Sequence, residues 1–358
     1  MVSFLLSIVA LIIGYFIYGK IVEKFFGAND GIETPAIRLE DGVDFVPMPE
    51  WKIFLVQFLN IAGLGPIFGA IAGAMWGPAA FLWIVFGCIF AGAVHDYFSG
   101  MLSVRHDGAS VPEVVGIYLG NGFKQFMRVF SVVLLVLVGV VFVTGPAGIL
   151  NGLVPSISKE VFLYIIFAYY LIATVVPVDK LIGKIYPIFG ICLLIMAIGV
   201  AGALIIGGYE IPEIAGNIYN MHVKPESYPV FPMLFITIAC GAISGFHATQ
   251  SPLMARCITK ESQGRRVFYG SMVAEGIVAL IWAAAAMTFF GGVDGLAKTM
   301  AEHGNNAGWV VNQVCNSLLG KVGGALAILG VVACPITSGD TAFRSARLTI
   351  ADSINFKQ

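Results

Sequence analysis

The stretch Asn60-Ile-Ala-Gly-Leu-Gly-Pro-Ile-Phe-Gly69 lies in the middle of an apolar run of about the 20 residues that a helix needs to cross a bilayer. Three glycines and one proline in ten residues predict a break there, with Pro66 as the first residue of the helix that restarts. A second such stretch, 238–252, interrupts a later run and is predicted to restart at Pro252. These breaks decide the fold, because they free backbone groups inside the membrane that something must satisfy.

The whole chain has the composition of a membrane protein. Of its 358 residues, 58% are hydrophobic and 11% are charged, and the mean hydropathy is +0.89, which excludes an ordinary cytosolic enzyme. A formal net charge of −1 leaves no basic surplus for a nucleic acid partner. The six cysteines lack the paired spacing of a zinc or redox site and are predicted to be apolar packing residues.

Nine apolar runs are long enough to span a membrane, so residues 1–358 are predicted to form one all-helical polytopic domain. The runs cover 3–19, 53–75, 78–102, 129–150, 160–177, 185–207, 230–256, 268–290 and 322–343. No basic residue precedes the first run and no small-residue cleavage site follows it. It is therefore predicted to be a retained, peripheral helix and not a signal peptide.

The basic residues alternate with the predicted spans. The odd-numbered loops and the C-terminal tail carry 16 of the 20 lysines and arginines, which predicts an N-terminus outside the cell and a cytoplasmic C-terminus. The basic stretch 256–266 is interpreted as the anchor of a cytoplasmic loop, with attraction of an anionic substrate or lipid as the alternative.

The second broken run lies five spans after the first. An odd offset makes the two enter from opposite sides, which is the arrangement of an inverted-topology repeat. Residues 53–207 are predicted to form the first repeat and 230–358 a partial second repeat that needs two further helices. The alternative for the first break is a small-residue packing face formed by Gly63, Gly65, Gly69 and Gly73.

The substrate site is predicted at the two breaks, where the N–H groups of a restarting half-helix attract a carboxylate and unwound carbonyls can hold Na⁺ or a proton donor. Enlarging Gly65 or Gly245 is expected to abolish binding and to leave membrane insertion intact. No catalytic residue, metal ligand or cofactor is predicted beyond H⁺ or Na⁺ as the coupling ion. The predicted substrate-binding residues are Asn60, Gly63, Gly65, Pro66, Gly241, Ser244, Gly245 and His247.

Ionisable and hydroxyl side chains inside the spans are candidates for ion or proton coupling, since charges in a bilayer are costly. The candidates are Asp96, Glu275, Thr337, Ser338 and Asp340. His247 directly follows the second break, where it could titrate near neutral pH or serve as a hydrogen-bonded structural group.

Each coupling candidate also has a structural interpretation. Asp96 could pair with Arg105 or a neighbouring arginine, and Glu275 could make an interhelical hydrogen bond in its protonated form. Asp340 could form an i,i+4 ion pair with Arg344. The hydroxyls of Thr337 and Ser338 could satisfy carbonyls freed by Pro335.

Four stretches of the sequence resemble the carbon starvation protein A family of bacterial inner-membrane transporters, and the resemblance covers essentially the whole chain. They are Thr34–Pro47, Gly63-Leu-Gly-Pro66, Ala91–Phe98 with Arg105–Gly108, and Phe231–His247. The resemblance implies import of peptides or of small carboxylates such as pyruvate when carbon runs short. It also implies the five-plus-five inverted repeat of the amino acid, polyamine and organocation superfamily.

In the resembled fold, the helix of Thr337 and Ser338 faces the first broken helix across a sodium site, which implies Na⁺ coupling as one option. Members of the family continue with further helices past the stretch that corresponds to Thr337–Arg347. The resemblance therefore implies that the second repeat is incomplete at Gln358.

Together these features predict a secondary transporter of the inner membrane, with the lipid bilayer and a small carboxylate or peptide as its partners. The alternatives are a passive channel, which cannot concentrate its substrate, and a sensor or inactive fragment, which binds without flux. A membrane hydrolase is not favoured, because the sequence has neither a His-Glu-x-x-His helix nor a Gly-x-Ser-x-Gly elbow. The oligomeric state is not predicted.

Overall fold

The computed structural model describes residues 1–154, 156–173 and 178–353, and within these it contains helices and no strand. Short helices at Pro35–Arg38, Val111–Leu119 and Val293–Glu302 lie in the connections. The helices that build the bundle are α1 (Val2–Phe26), α2 (Glu50–Ile61), α3 (Gly65–Trp76), α4 (Ala79–Arg105), α5 (Asn121–Leu153), α6 (Lys159–Ala173), α7 (Val178–Ile206), α8 (230–237), α9 (His247–Ala255), α10 (Glu261–Phe289), α11 (Ala307–Leu326) and α12 (Leu329–Ala351).

Five continuous helices in the described residues, α1, α4, α5, α7 and α10, are long and apolar enough to cross a membrane, and two bent pairs raise the number to seven. The first bent pair, α2 and α3, lies at the predicted run 53–75 and bends by 53°. The predicted run 160–177 starts in α6, but residues 174–177 lie outside the described residues. The run 230–256 is divided between the short helices α8 and α9. The count of nine spans therefore remains a prediction.

The predicted run 322–343 lies within the second bent pair, which is longer than that run. α11 already begins at Ala307 and meets α12 at a bend of 58°. Within α11, Gly320 leaves the helical conformation with φ 60° and ψ −151°, a region that favours glycine. The early start was hidden in the sequence because Asn312 and Asn316 lower the local hydropathy, although their side chains bond to each other at 2.7 Å.

The two broken spans run in opposite directions through the bundle. α2 begins at Glu50, which pairs with Arg266, and α3 ends at Trp76, whose indole N–H donates to the carbonyl of Tyr228. α8 begins just after Tyr228, and α9 ends next to Arg256. One broken span therefore starts at the end of the bundle where the other finishes.

Most of the arginine contacts lie at one end of the bundle, which we call the basic face. It holds the ion pairs Arg105–Glu261, Arg265–Glu23, Arg266–Glu50, Arg38–Asp107 and Arg347–Asp44. At the opposite face, Glu213 accepts hydrogen bonds from the N-terminal ammonium group and from Ser3, which lower the pKa of Glu213 to about 2. The first, third and seventh predicted loops and the C-terminal tail thus contribute to the basic face, whereas the loop 208–229 lies at the opposite face.

α10 lies at the centre of the bundle, since 78% of its apolar window is buried. α1 is only 28% buried and contacts the bundle along one side, where Gly14 packs against Ile89 and Gly19 against Tyr269. The polar side chains between Gly270 and Phe289, such as Glu275, are therefore buried inside the bundle.

Glycines of the first broken span lie directly against the second. A Cβ added at Gly65 would lie 2.3 Å from the Cys240 side chain, and one added at Gly73 would lie 2.2 Å from Ile238. A Cβ at Gly69 would lie 2.7 Å from the Thr237 carbonyl, whereas Gly63 faces Ser338 and Phe142. The small-residue packing face is therefore present, and it brings the two breaks into contact.

We expect Gly65→Ala to destabilise the fold by about 1–3 kcal/mol, because overpacking a close-packed interior costs this much. Gly245→Ala is the matched control, since nothing lies within 4 Å of a Cβ at that position. Thermal unfolding of the purified variants in detergent compares the two. Equal melting temperatures would contradict the close approach of the breaks, whereas recovery in Gly65→Ala/Cys240→Gly would support it.

Candidate functional site

The second break is the non-helical segment 238–246 between α8 and α9. Its turn is closed by the N–H of Ile243, which donates to the carbonyl of Ala239 at 2.7 Å. Gly241 has φ +92°, and a Cβ there would lie 2.6 Å from Ala279 of α10. Both the backbone conformation and the close approach to α10 therefore require glycine at position 241.

The prediction that the second helix restarts at Pro252 is wrong, because α9 begins at His247 and contains Pro252. The N–H of His247 already donates to the carbonyl of Ser244, so a turn at 244–246 starts the helix. Pro252 removes one intrahelical donor. The hydroxyls of Thr249 and Ser251 add hydrogen bonds to the carbonyls of Phe246 and His247 in this short helix.

His247 lies between two carboxylates from different helices. Its Nδ1 is 2.9 Å from Oδ2 of Asp96 on α4, and its Nε2 is 3.4 Å from Oε2 of Glu275 on α10. All three side chains are fully buried. We call these three residues the carboxylate–histidine cluster. Asp96 also lies 2.9 Å from Nδ1 of the half-buried His95, which extends the cluster along α4.

Glu275 connects this cluster to the second break. Its Oε1 accepts a hydrogen bond of 2.9 Å from the N–H of Gly241 in the non-helical segment, whereas the interhelical hydrogen bond of a protonated Glu275 stays a prediction. The other carboxylate does not pair with Arg105, which instead makes two contacts with Glu261 at the basic face. Because an imidazole and two carboxylates can each take up or release a proton, the cluster offers consecutive proton sites.

At the first break, α2 ends at Ile61 and α3 resumes at Gly65 with Pro66 in its first turn, as predicted. Asn60 is fully buried, and neither atom of its amide group has a hydrogen-bond partner among the described residues. The first break thus has an unpaired polar side chain one residue before α2 ends.

α12 lies beside the first break. The hydroxyl of Ser338 donates to the carbonyl of Leu59 at 3.2 Å, and the thiol of Cys334 donates to the carbonyl of Ala62 at 2.9 Å. The hydroxyl of Thr337 donates within its own helix, to the carbonyl of Cys334. The Ser338 hydroxyl therefore bonds to a carbonyl of the broken helix, whereas the Thr337 hydroxyl bonds only within α12 among the described residues.

Asp340 belongs to a separate buried network. Its carboxylate accepts a 2.5 Å hydrogen bond from the hydroxyl of Tyr186 and one of 3.2 Å from Nε of Arg344. The predicted i,i+4 ion pair is present. The structure thus gathers Asp96, His247 and Glu275, and it keeps Asp340 apart from them.

The remaining predicted residues of the second break lie on its two sides. The Cys240 thiol points to the hydroxyl of Ser244 at 3.6 Å, close to the first break. Gly245 instead lines a cavity of about 30 Å³ that it shares with Thr249, Ser345 and neighbouring residues of α5.

Sequence reasoning missed two fully buried amide side chains, Gln57 of α2 and Gln250 of α9. A usable signal was present, because Gln57 is one helical turn before Asn60 and Gln250 stands in the polar run Thr249-Gln250-Ser251. In the described part of the chain, no group of three His, Cys, Asp or Glu side chains is arranged to hold a metal ion.

The family model that describes the carbon starvation protein CstA matches residues 1–156 and 149–322. An uncharacterized membrane protein of Haemophilus influenzae is 45% identical over 81% of this chain and 91% of its own length. The peptide transporter CstA of Bacillus subtilis is 30% identical over 78% of this chain and 57% of its own length. The pyruvate/proton symporter BtsT of Escherichia coli is 26% identical over 78% of this chain and 48% of its own length.

The chain thus spans about half the length of these two transporters and nearly all of the Haemophilus protein. The family match extends over both broken spans and over the whole carboxylate–histidine cluster. This chain is therefore a multi-pass membrane protein, and it belongs to the carbon starvation protein CstA family.

Proposed function

We propose that the chain is a secondary active transporter that imports small carboxylates such as pyruvate, or short peptides, across the bacterial inner membrane during carbon starvation. The names of two relatives, a peptide transporter and a pyruvate/proton symporter, support transport and these cargo classes. The observation that carries the proposal is His247, buried between the carboxylates of Asp96 and Glu275 beside a broken helix. Charged groups at such depth in a membrane mark ion or substrate pathways and not loosely solvated surfaces.

We propose nine spans, with α6 as one span and the pair α8 and α9 as another. Residues 53–207 then form one repeat, and 230–358 form part of an inverted second one. The opposite directions of the two broken spans support this arrangement, as does their direct contact at Gly65 and Cys240. Broken helices that meet near the bilayer midplane form the substrate site in transporters built from inverted repeats.

In the proposed site, the cargo carboxylate meets the starts of α3 and α9, where helix N–H groups carry the positive end of the dipole. Gly65 begins α3, with Pro66 in its first turn, and His247 begins α9. Because the breaks touch at Gly65, cargo enters only when the two broken spans separate. In alternating access, the two broken spans then separate first towards one face of the membrane and later towards the other, and they close again in between.

Proton coupling is proposed to act through Glu275. Its carboxylate accepts the Gly241 N–H and also faces His247. A proton added to Glu275 removes the negative charge that strengthens both contacts. The proton thereby loosens the second break from α10 at the place where the first break packs against it.

Sodium coupling is the alternative within the same proposal. Ser338 lies next to the carbonyl of Leu59, and hydroxyl and carbonyl oxygens are ligands that Na⁺ accepts at broken helices. Thr337 and Asp340 make no hydrogen bond to this carbonyl among the described residues. Thr337 bonds to the carbonyl of Cys334, and Asp340 bonds to Tyr186. Coupling by protons requires the cluster, whereas coupling by sodium requires the α12 hydroxyl groups.

We expect Glu275→Gln to abolish proton-driven accumulation and to retain cargo exchange. The glutamine carbonyl still accepts the Gly241 N–H but no longer titrates. Wild-type protein in liposomes with an imposed proton or sodium gradient should accumulate labelled pyruvate or dialanine, by about tenfold per coupled proton for each pH unit. The variant should reach no accumulation, while its exchange of internal for external cargo stays within about twofold of wild type. Glu302→Gln, at an exposed position, is the matched control.

Unchanged accumulation by Glu275→Gln under a proton gradient would contradict coupling through the cluster. Downhill flux without accumulation by the wild type would identify a channel, and binding without flux would identify a sensor. Accumulation driven only by sodium would favour sodium coupling at Ser338 over proton coupling at Glu275.

We also propose that the basic face is cytoplasmic, which places the N-terminus outside, because positively charged loops remain on the cytoplasmic side. Ser262 lies at the basic face, and Ser227 lies in the loop before α8 at the opposite face; both are exposed. With Cys192 and Cys240 replaced by alanine, we expect a membrane-impermeant maleimide to label Ser227→Cys in intact cells. Ser262→Cys should be labelled only after permeabilisation. The reverse pattern would contradict this orientation.

A further inference from the structure

Two buried glutamines lie on the basic-face side of the breaks. Gln57 is on α2, three residues before Asn60, and Gln250 is on α9, three residues after His247. Both are fully buried. The two half-helices touch here, where Nε2 of Gln57 lies 3.5 Å from the hydroxyl oxygen of Ser251. Gln57 is seven residues from the start of α2, or about 10 Å along the helix.

The neighbouring hydroxyl groups fix the orientation of both amides. The hydroxyl of Thr249 donates its proton to the carbonyl of Phe246 at 2.7 Å, so it can only accept from Gln250, whose Nε2 lies 2.9 Å away. The hydroxyl of Ser251 likewise donates to the carbonyl of His247 at 3.1 Å and can only accept from Gln57. Each amide must therefore present its NH₂ group to the hydroxyl and turn its carbonyl oxygen away.

The two carbonyl oxygens fixed in this way accept no hydrogen bond from any described residue. Burying an acceptor without a donor is costly, and most buried acceptors in proteins are paired. The amide of Asn60, one turn after Gln57 on α2, also has no hydrogen-bond partner among the described residues. The nearby cluster contributes two carboxylates and one imidazole, so it adds negative charge to this region unless it is protonated.

We propose that the carbonyl oxygens of Gln57 and Gln250 bind a monovalent cationic group during transport. This inference rests on the proposed transport function and deepens it. Oxygen acceptors suit either of two sources, the ammonium group of a peptide cargo or a Na⁺ ion that enters with the cargo and is distinct from one at Ser338. Pyruvate itself cannot satisfy these oxygens, because it is an anion without an N–H group. A pyruvate cargo therefore requires Na⁺ at the two oxygens, whereas a peptide can fill them with its own ammonium group.

The test uses the full chain in liposomes and the variants Gln57→Met and Gln250→Met. Methionine keeps the length of the side chain and removes both amide atoms, so the hydroxyls of Thr249 and Ser251 keep their backbone bonds. Gln125→Met, at an exposed position of α5, is the matched control. Uptake of dialanine, N-acetyl-dialanine and pyruvate is measured as a function of cargo concentration in sodium and in choline buffers. Melting temperatures identify any variant that fails to fold, and Gln250→Glu, which keeps the acceptor, then replaces that variant.

If the cationic group is the peptide ammonium, each methionine variant should raise the half-saturating dialanine concentration by about 10-fold to 100-fold, the loss expected for a hydrogen bond to a charged group. Uptake of N-acetyl-dialanine should be equally weak in wild type and variants. If the group is Na⁺, the variants should raise the half-saturating sodium concentration by a similar factor for every cargo. Gln250→Glu should lower whichever of these two concentrations the methionine variants raise.

Variants that match wild type within twofold for all cargos and for sodium would overturn the inference. So would a wild type that accumulates pyruvate with no sodium dependence, although the proposed transport function would then stand. A wild type that accumulates none of the cargos under either gradient would overturn the transport function and this inference together.

Discussion

The carboxylate of Glu275 accepts a hydrogen bond from the backbone N–H of Gly241 and lies 3.4 Å from Nε2 of His247, and the second break is built around these two contacts. In a bundle surrounded by lipid, a carboxylate without partners would be far too costly to keep ionised. The contact is made by α10, the most deeply buried of the described helices that can span a membrane. Because Asp96 contacts the other side of the imidazole, α4, α9 and α10 are connected by one group of interacting charges. A change of charge within this group therefore alters the electrostatic interaction with the Gly241 N–H at the break.

The close approach of the two broken spans completes this arrangement. Lipid gives helices no hydrophobic reason to associate, so contact depends on small residues that let backbones approach. Gly65 packs on Cys240 and Gly241 packs on Ala279, which means that adjacent residues of the second break touch the first break and α10. A displacement of Gly241 from Glu275 therefore also displaces Cys240 from Gly65. The contact with the buried carboxylate and the contact between the two breaks are one residue apart on the same segment.

The sequence predicts the local features of this molecule well and its long-range pairings poorly. Glycine and proline density located both breaks, and the alternation of basic residues anticipated which loops gather at each end. The restart at Pro252 was misplaced because a turn at 244–246 had already started the helix. The start of α11 at Ala307 was hidden by Asn312 and Asn316. That Asp96 meets His247 and not Arg105 depends on how α4 packs against α9, which no spacing within one helix reveals.

Two kinds of polar group thus surround the breaks, and they differ in whether they can take up a proton. The carboxylate–histidine cluster is made of groups that can take up or release a proton. The amides of Gln57 and Gln250 do not titrate, so any response they give depends on a ligand that donates to oxygen or carries positive charge. The cluster directly follows the second break, and the amides lie one helical turn closer to the basic face. His247 at the start of α9 and Gln250 one turn later lie on one short helix, so under the proposed function a proton at the first residue and a cationic group at the second would act on the same half-helix.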